Sequence, residues 1–222
     1  KKNLKNLQSI ENYLITIELD DPTAFAYVRI GECYEKLGVN DAAIKYYKKA
    51  VHEDPLLDRG WILLTNAYYN EEDYQKALYY IGKALQIDDA NALYWRKYAD
   101  INIKLDFFEE AIKASRKCLE VDDVAIEVYI ALADVLYFIG DFNDALSVLI
   151  KAKKTYKEFA EIEYRLCGLF LILEKEDYGL AHLKNGLAID FEYHSVVLDL
   201  FPTTHENEKV QQIISNYKKA TE

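Results

Sequence analysis

Three acidic pairs, Asp20-Asp21, Asp88-Asp89 and Asp122-Asp123, are the residues best placed to do chemistry, because neighbouring carboxylates can divide acid and base roles between them. Their spacing argues for a plainer role. The pairs recur at a step of 34 residues or twice that step, which is what turn residues between repeated helices do. The four histidines, His52, His182, His194 and His205, form no HxxH pair and have no cysteine or carboxylate at ligand spacing, so no metal is expected. Cys33, Cys118 and Cys167 form no CxxC, and an odd count without a pairing pattern suits a reducing compartment. No phosphate-binding glycine loop or nucleophile elbow occurs. The expectation is a protein without catalytic residues and without a cofactor.

Bulk properties narrow the partners. With 27 basic against 38 acidic residues the net charge is −11, which opposes nucleic acid, whose binding needs clustered Lys and Arg. No run of about eighteen apolar residues exists, so membrane insertion is not expected. Three prolines and eight glycines in 222 residues leave few helix breakers, and the remainder is rich in helix formers, so the fold class is all-α. The sequence opens Lys1-Lys2-Asn3 without Met and without a signal-like apolar segment, so the native N-terminus is expected to lie further upstream and the expected location is cytoplasmic.

The elements that position everything else follow from a 34-residue period. Units begin at Ala24, Asp58, Ala92, Ile126 and Ala160. Position 8 then reads Gly31, Thr65, Ala99, Ala133, Cys167; position 20 reads Ala43, Ala77, Ala111, Ala145, Gly179; position 27 reads Ala50, Ala84, Cys118, Ala152, Gly186. All of these are small. Large residues keep the same step: position 4 gives Tyr27, Trp61, Trp95, Tyr129, and position 24 gives Tyr47, Ile81, Leu149, Leu183, while unit three departs with Asn102 at position 11 and Ser115 at position 24. Each unit reads as two helices, with small residues permitting close approach and large ones filling the space left. Gly38 and Gly140 are expected C-terminal caps, and Asp73 and Asp141 expected N-caps. Unit five, with Glu163 at position 4 and glycines at both small positions of its second helix, is expected to pack loosely or to shift by a residue.

The pattern W-x2-L-G-x2-Y followed by Ala, Tyr/Phe, Ala and Pro, nearly complete from Ala24 to Pro55, resembles the tetratricopeptide repeat (TPR) in its bacterial form. The resemblance implies a right-handed superhelical solenoid of antiparallel helix pairs. Its divisions would be residues 1–22, a second helix of a truncated preceding repeat or an N-terminal cap; repeats 24–57, 58–91, 92–125, 126–159 and 160–193; and 194–222, a shortened terminal repeat with a capping helix.

The resemblance also implies a site. In this family the first helices line the concave face, and carried over by position that face holds Ile62, Asn66 and Tyr69, then Arg96, Lys97 and Asp100, then Ile130, Asp134, Tyr137 and Phe138, then Tyr164 and Arg165. The subfamily that clamps chaperone C-terminal carboxylates carries Lys at position 5 and Asn at position 9. Here those positions read Val28 and Glu32, Ile62 and Asn66, Arg96 and Asp100, Ile130 and Asp134. Three acids at position 9 would repel a carboxylate, so that clamp is disfavoured. The function expected is a protein–protein interaction scaffold holding a peptide segment of a partner whose identity the sequence does not give. The alternatives are self-association, as in a homodimer, and a regulatory or docking part of a larger protein with an upstream catalytic domain. The aromatic residues of units four and five, above all Tyr137 and Tyr164, are the expected anchors.

The register makes a prediction about packing. Ala77→Leu should force two helices apart and cost about 1–3 kcal/mol in a urea melt. Lys153→Ala, on a face expected to be solvated, should stay within about 0.5 kcal/mol of neutral.

Overall fold

The structure is a computed structural model and describes residues 2–19, 23–122 and 126–221. Among the described residues there are thirteen α-helices and no strand. Asp20-Asp21 and Asp123, discussed above, lie outside them. The chain forms two compact units, Lys1–Asp123 and Val124–Glu222.

The first unit holds α1 (Lys2–Leu19), α2 (Ala24–Lys36), α3 (Asn40–Glu53), α4 (Asp58–Asn70), α5 (Tyr74–Ile87), α6 (Ala92–Lys104) and α7 (Phe108–Val121). The second holds α8 (Ile126–Phe138), α9 (Phe142–Thr155), α10 (Ala160–Ile172), α11 (Glu176–Ile189), α12 (Ser195–Leu200) and α13 (Glu208–Thr221). From α2 to α11 the first helix of every pair has 13 residues and the second 14. The small residues at positions 8, 20 and 27 are buried in all five pairs. The large residues at position 24 are buried beside them, Tyr47 completely, with its hydroxyl donating to Glu35 Oε2 at 2.8 Å.

One turn geometry joins every pair. At position 15 the backbone takes positive φ in Gly38, Glu72, Asp106, Gly140 and Glu174, between 57° and 85°. The following N–H then bonds back to the carbonyl at position 11, from Val39 to Tyr34, Asp73 to Tyr68, Phe107 to Asn102, Asp141 to Leu136 and Lys175 to Phe170, at 2.8–3.0 Å. Each first helix thus ends in a Schellman motif that satisfies its last carbonyls and reverses the chain. Asp73 and Asp141 cap the helices that follow, accepting from the N–H groups of Lys76 and Asp144.

A ring at position 23 escaped the sequence reading. Tyr46 lies between Tyr27 and Tyr34, with centroids 6.3 and 5.5 Å away. Tyr80 lies between Trp61 and Tyr68 at 6.0 and 5.3 Å. His182 stacks on Phe170 at 5.2 Å. The 34-residue step connecting Tyr46 to Tyr80 was the available signal.

Unit five is not loosely packed. Its first helix, α10, is buried continuously from Ile162 to Phe170. The glycines are where neighbouring side chains enter: a Cβ on Gly186 would stand 2.8 Å from the Tyr164 ring, and one on Gly179 would stand 2.9 Å from Leu171. Gly168 receives Phe201, whose ring a Cβ would meet at 2.1 Å. The unusual polar residues of unit three are also satisfied or enclosed. Asn102 Nδ2 donates to the Tyr98 carbonyl at 2.7 Å, and Ser115 is buried.

Glu163 at position 4 is 2% exposed, yet it is partnered on both oxygens. Lys153 Nζ lies 2.6 Å from Oε1, and His182 Nδ1 lies 2.6 Å from Oε2. Burial alone would raise the Glu163 carboxyl; the hydrogen bonds and charges of His182 and Lys153 outweigh it and hold the carboxyl below its ordinary value. Lys153 is therefore part of a buried charge cluster and not a residue of a solvated face, which reverses the expectation for its truncation.

Gly140 has open space around it, so Gly140→Ala should cost about 1 kcal/mol through backbone strain alone, while Glu174→Gly, relieving the same conformation, should add about 0.5–1 kcal/mol in denaturant melts. Lys153→Ala should cost about 1–3 kcal/mol at neutral pH by stranding the Glu163 carboxylate. Because that carboxyl titrates lower when folded than its ordinary 4.5, its stabilisation is complete above that pH and is lost as pH falls through the lowered value. Glu163→Gln should flatten the acid limb of stability against pH.

Candidate functional site

The residues expected to line a partner-binding face divide between the two units. In the first unit, α4 and α6 place Tyr69, Lys97 and Asp100 together. Lys97 Nζ sits 4.2 Å from the centroid of the Tyr69 ring, a cation–π contact, and Tyr74 meets that ring edge-on at 5.4 Å. Asp100 is half-buried. Burial raises its carboxyl above the ordinary range, and the charges of Lys97, Arg96 and Lys104 do not fully offset that. Ile62 and Asn66 are half-buried on the same helix as Tyr69. An acid, three bases, an amide and a ring thus stand on two successive first helices, and Tyr69, Arg96, Lys97 and Asp100 each keep part of their surface open to solvent. Such a set can donate to and accept from a peptide backbone while an aromatic face supplies contact area.

The neighbouring α2 gives a different picture. Glu32, at position 9, is buried and holds Arg29 Nη1 at 2.9 Å and Arg59 Nη2. Burial would raise its carboxyl, but the two guanidinium groups bring it below its ordinary value. This ion cluster joins successive first helices.

In the second unit the carried-over positions do not all reach solvent. Tyr164 is 0% exposed; its ring fills the space over Gly186, and its hydroxyl donates to the Asp190 carbonyl at 2.7 Å. Arg165 is also buried. Its guanidinium forks onto Asp134, Nε to Oδ1 at 2.8 Å and Nη2 to Oδ2 at 2.9 Å, while Nη1 reaches Glu161 at 2.7 Å. Tyr137 is half-buried, its ring 4.9 Å from Phe201 and 5.7 Å from Phe142. Ile130 is half-buried, and Phe138 is 71% exposed. The segment after α11 adds cover of its own, since α12 packs on α10 and Phe201 sits between Gly168 and Tyr137.

The cysteines are enclosed as their repeat positions imply. Burial pushes the Cys167 thiol up to about 12 and raises the other two, and Cys118 Sγ lies 3.2 Å from the Ala92 carbonyl. None has the lowered pKa of a nucleophile. Among the described residues no three His, Cys, Asp or Glu side chains gather as a metal-ligating set, and no helix is long and apolar enough to cross a membrane.

Comparison with known proteins supports the repeat register. The family model described as a tetratricopeptide repeat matches residues 26–55. A TPR repeat-containing protein of Methanocaldococcus jannaschii is 28% identical over 136 residues, covering 61% of this chain and 24% of that protein. Serine/threonine-protein phosphatase 5 of Rattus norvegicus is 24% identical over 149 residues, covering 65% of this chain and 28% of the enzyme. The chain therefore spans about a quarter of the length of these curated relatives. Among solved structures, YrrB, described as a TPR protein with an unusual peptide-binding site, is 19% identical with a TM-score of 0.72, covering 86% of this chain and 97% of YrrB. MamA is 20% identical with a TM-score of 0.68, covering 75% of this chain and 97% of MamA. At such identities the structural likeness establishes the fold. The 34-residue register, the Schellman turn that closes each first helix, the matched repeat and the shared fold together place the chain among the tetratricopeptide-repeat proteins.

Proposed function

We propose that this chain is a protein–protein interaction scaffold that holds a peptide segment of a partner on the face formed by its first helices. The observation that carries the reading is the α4–α6 face, where Tyr69, Arg96, Lys97 and Asp100 stand together and part-exposed. Ile62 and Asn66 extend this face, and in the second unit Phe138, with Ile130 beside it on the same helix, offers an apolar contact of its own. Asp134, Tyr137, Tyr164 and Arg165 act as the structural support of the second unit's face. The reading is supported by the fold shared with YrrB, a protein described with a peptide-binding site.

The chaperone carboxylate clamp is not the proposed mode. Its anchor positions hold Val28 and Glu32, of which the first is fully buried and the second is spent on two arginines. The match to a phosphatase of which this chain covers 28% favours a second reading, a docking part of a longer enzyme, with the same peptide-holding face.

Selection of displayed peptides against the intact chain tests the proposal. Tyr69→Ala and Lys97→Ala should each weaken the selected peptides by about 1–2 kcal/mol, roughly five- to thirtyfold, with far-ultraviolet circular dichroism unchanged. Tyr137→Ala should lower stability before it changes affinity. Unchanged binding by both first-unit variants would exclude the α4–α6 face.

A further inference from the structure

A second surface lies on the other side of the first unit, in the furrow between α5 and α7. A cavity of about 480 Å³ opens there, walled by Trp95 and Tyr98 of α6, Ala114 and Lys117 of α7, and Gly82 and Leu85 of α5. Its volume is in the range of small-ligand sites.

The repeat register explains why it is empty of protein. The two preceding repeats fill the equivalent place with their own tyrosines. Tyr46 lies tilted against Tyr27 and stacked on Tyr34 with Lys49 Nζ 5.1 Å above its ring, and Tyr80 stacks between Trp61 and Tyr68. In repeat three, position 23 holds Ala114, so the ring is missing while its position-4 wall, Trp95, remains. A second side chain is missing too. Repeat one contributes Lys48 at position 25, whose ammonium lies 5.5 Å above Tyr68, whereas repeat two contributes Gly82, around which an added Cβ meets nothing within 4 Å. Lys117, the counterpart of Lys49, stays in place at the rim and is exposed.

We propose that this furrow is a docking site for an aromatic side chain, a tyrosine above all, presented by a partner protein. The molecule itself shows what fits: twice, in the same register, the place is taken by a phenol ring packed against the position-4 aromatic, tilted on Tyr27 and stacked on Trp61. The Lys49 contact with Tyr46 shows what the rim lysine does to such a ring, drawing its π face by cation–π attraction. Stacking on Trp95 and burial against Leu85 and Ala114 would supply most of the contact. The site lies on the face of the second helices and is independent of the α4–α6 face proposed above.

The indoles of Trp61 and Trp95 offer a direct readout, since both N–H groups donate to main-chain carbonyls, of Pro55 at 2.9 Å and Asp89 at 2.7 Å. Titration of the intact 15N-labelled chain with p-cresol to roughly 10 mM should move the Trp95 indole resonance saturably and leave that of Trp61 in place. Ala114→Tyr, which rebuilds the ring of Tyr46 and Tyr80, should abolish the shift and raise the melting temperature. Gly82→Lys, which restores the side chain at position 25, should abolish it as well and stands in should Ala114→Tyr fail to fold. No Trp95 shift, equal shifts of both indoles, or an undiminished Trp95 shift in a folded variant would overturn the proposal. Loss of peptide binding at α4–α6 would leave this outcome untouched.

Discussion

Two helices can approach along their whole length only where one of them presents a small side chain, and the rest of this structure depends on that constraint. Positions 8, 20 and 27 supply it in five successive pairs, all buried. Close approach creates gaps of fixed shape around each contact, and the large residues at positions 4, 11, 23 and 24 fill them. The reversal at position 15 is tied to the same geometry, because a second helix that must lie against the first leaves room for only a tight turn. Three of the five positive-φ positions are occupied by Glu or Asp, so the packing has enforced a conformation that these residues resist.

Because the repeat fixes the gaps, a change at one position is answered at another. Glu163 replaces the position-4 aromatic, and His182 and Lys153 arrive to neutralise it, with His182 taking the ring position at 23 and stacking on Phe170. Tyr164 turns inward, and Gly186 vacates the space its ring requires. At Ala114 and Gly82 both side chains are reduced; Tyr98, where the other repeats hold Leu or Ile, meets Trp95 edge-on at 6.0 Å, and a cavity remains over Trp95.

The repeat boundaries, the caps and the burial of the small positions were legible in the sequence because they follow from local geometry repeated at a fixed step. The turn at Gly38 and Gly140 was visible for the same reason, while its adoption by Glu72, Asp106 and Glu174 was not, since nothing in those residues asks for positive φ. The candidate face was legible only in part. Position in the repeat groups Tyr69, Lys97 and Asp100 on successive first helices, and in the structure Lys97 does lie over the Tyr69 ring. Position gave no sign that Tyr164 turns inward over Gly186, or that Arg165 is taken up by Asp134 and Glu161, because those contacts depend on partners outside the repeat pattern. Lys153 was misjudged on similar grounds, its environment being decided by an exceptional partner at position 163.

The central proposal is that the part-exposed first-helix face of α4 and α6 holds a peptide. Hydrogen–deuterium exchange of the intact chain, with and without a peptide recovered by display selection, measures this directly. The account predicts slowed exchange concentrated in residues 58–70 and 92–104. Protection confined to α10, α12 and α13, or to α5 and α7 alone, would contradict it.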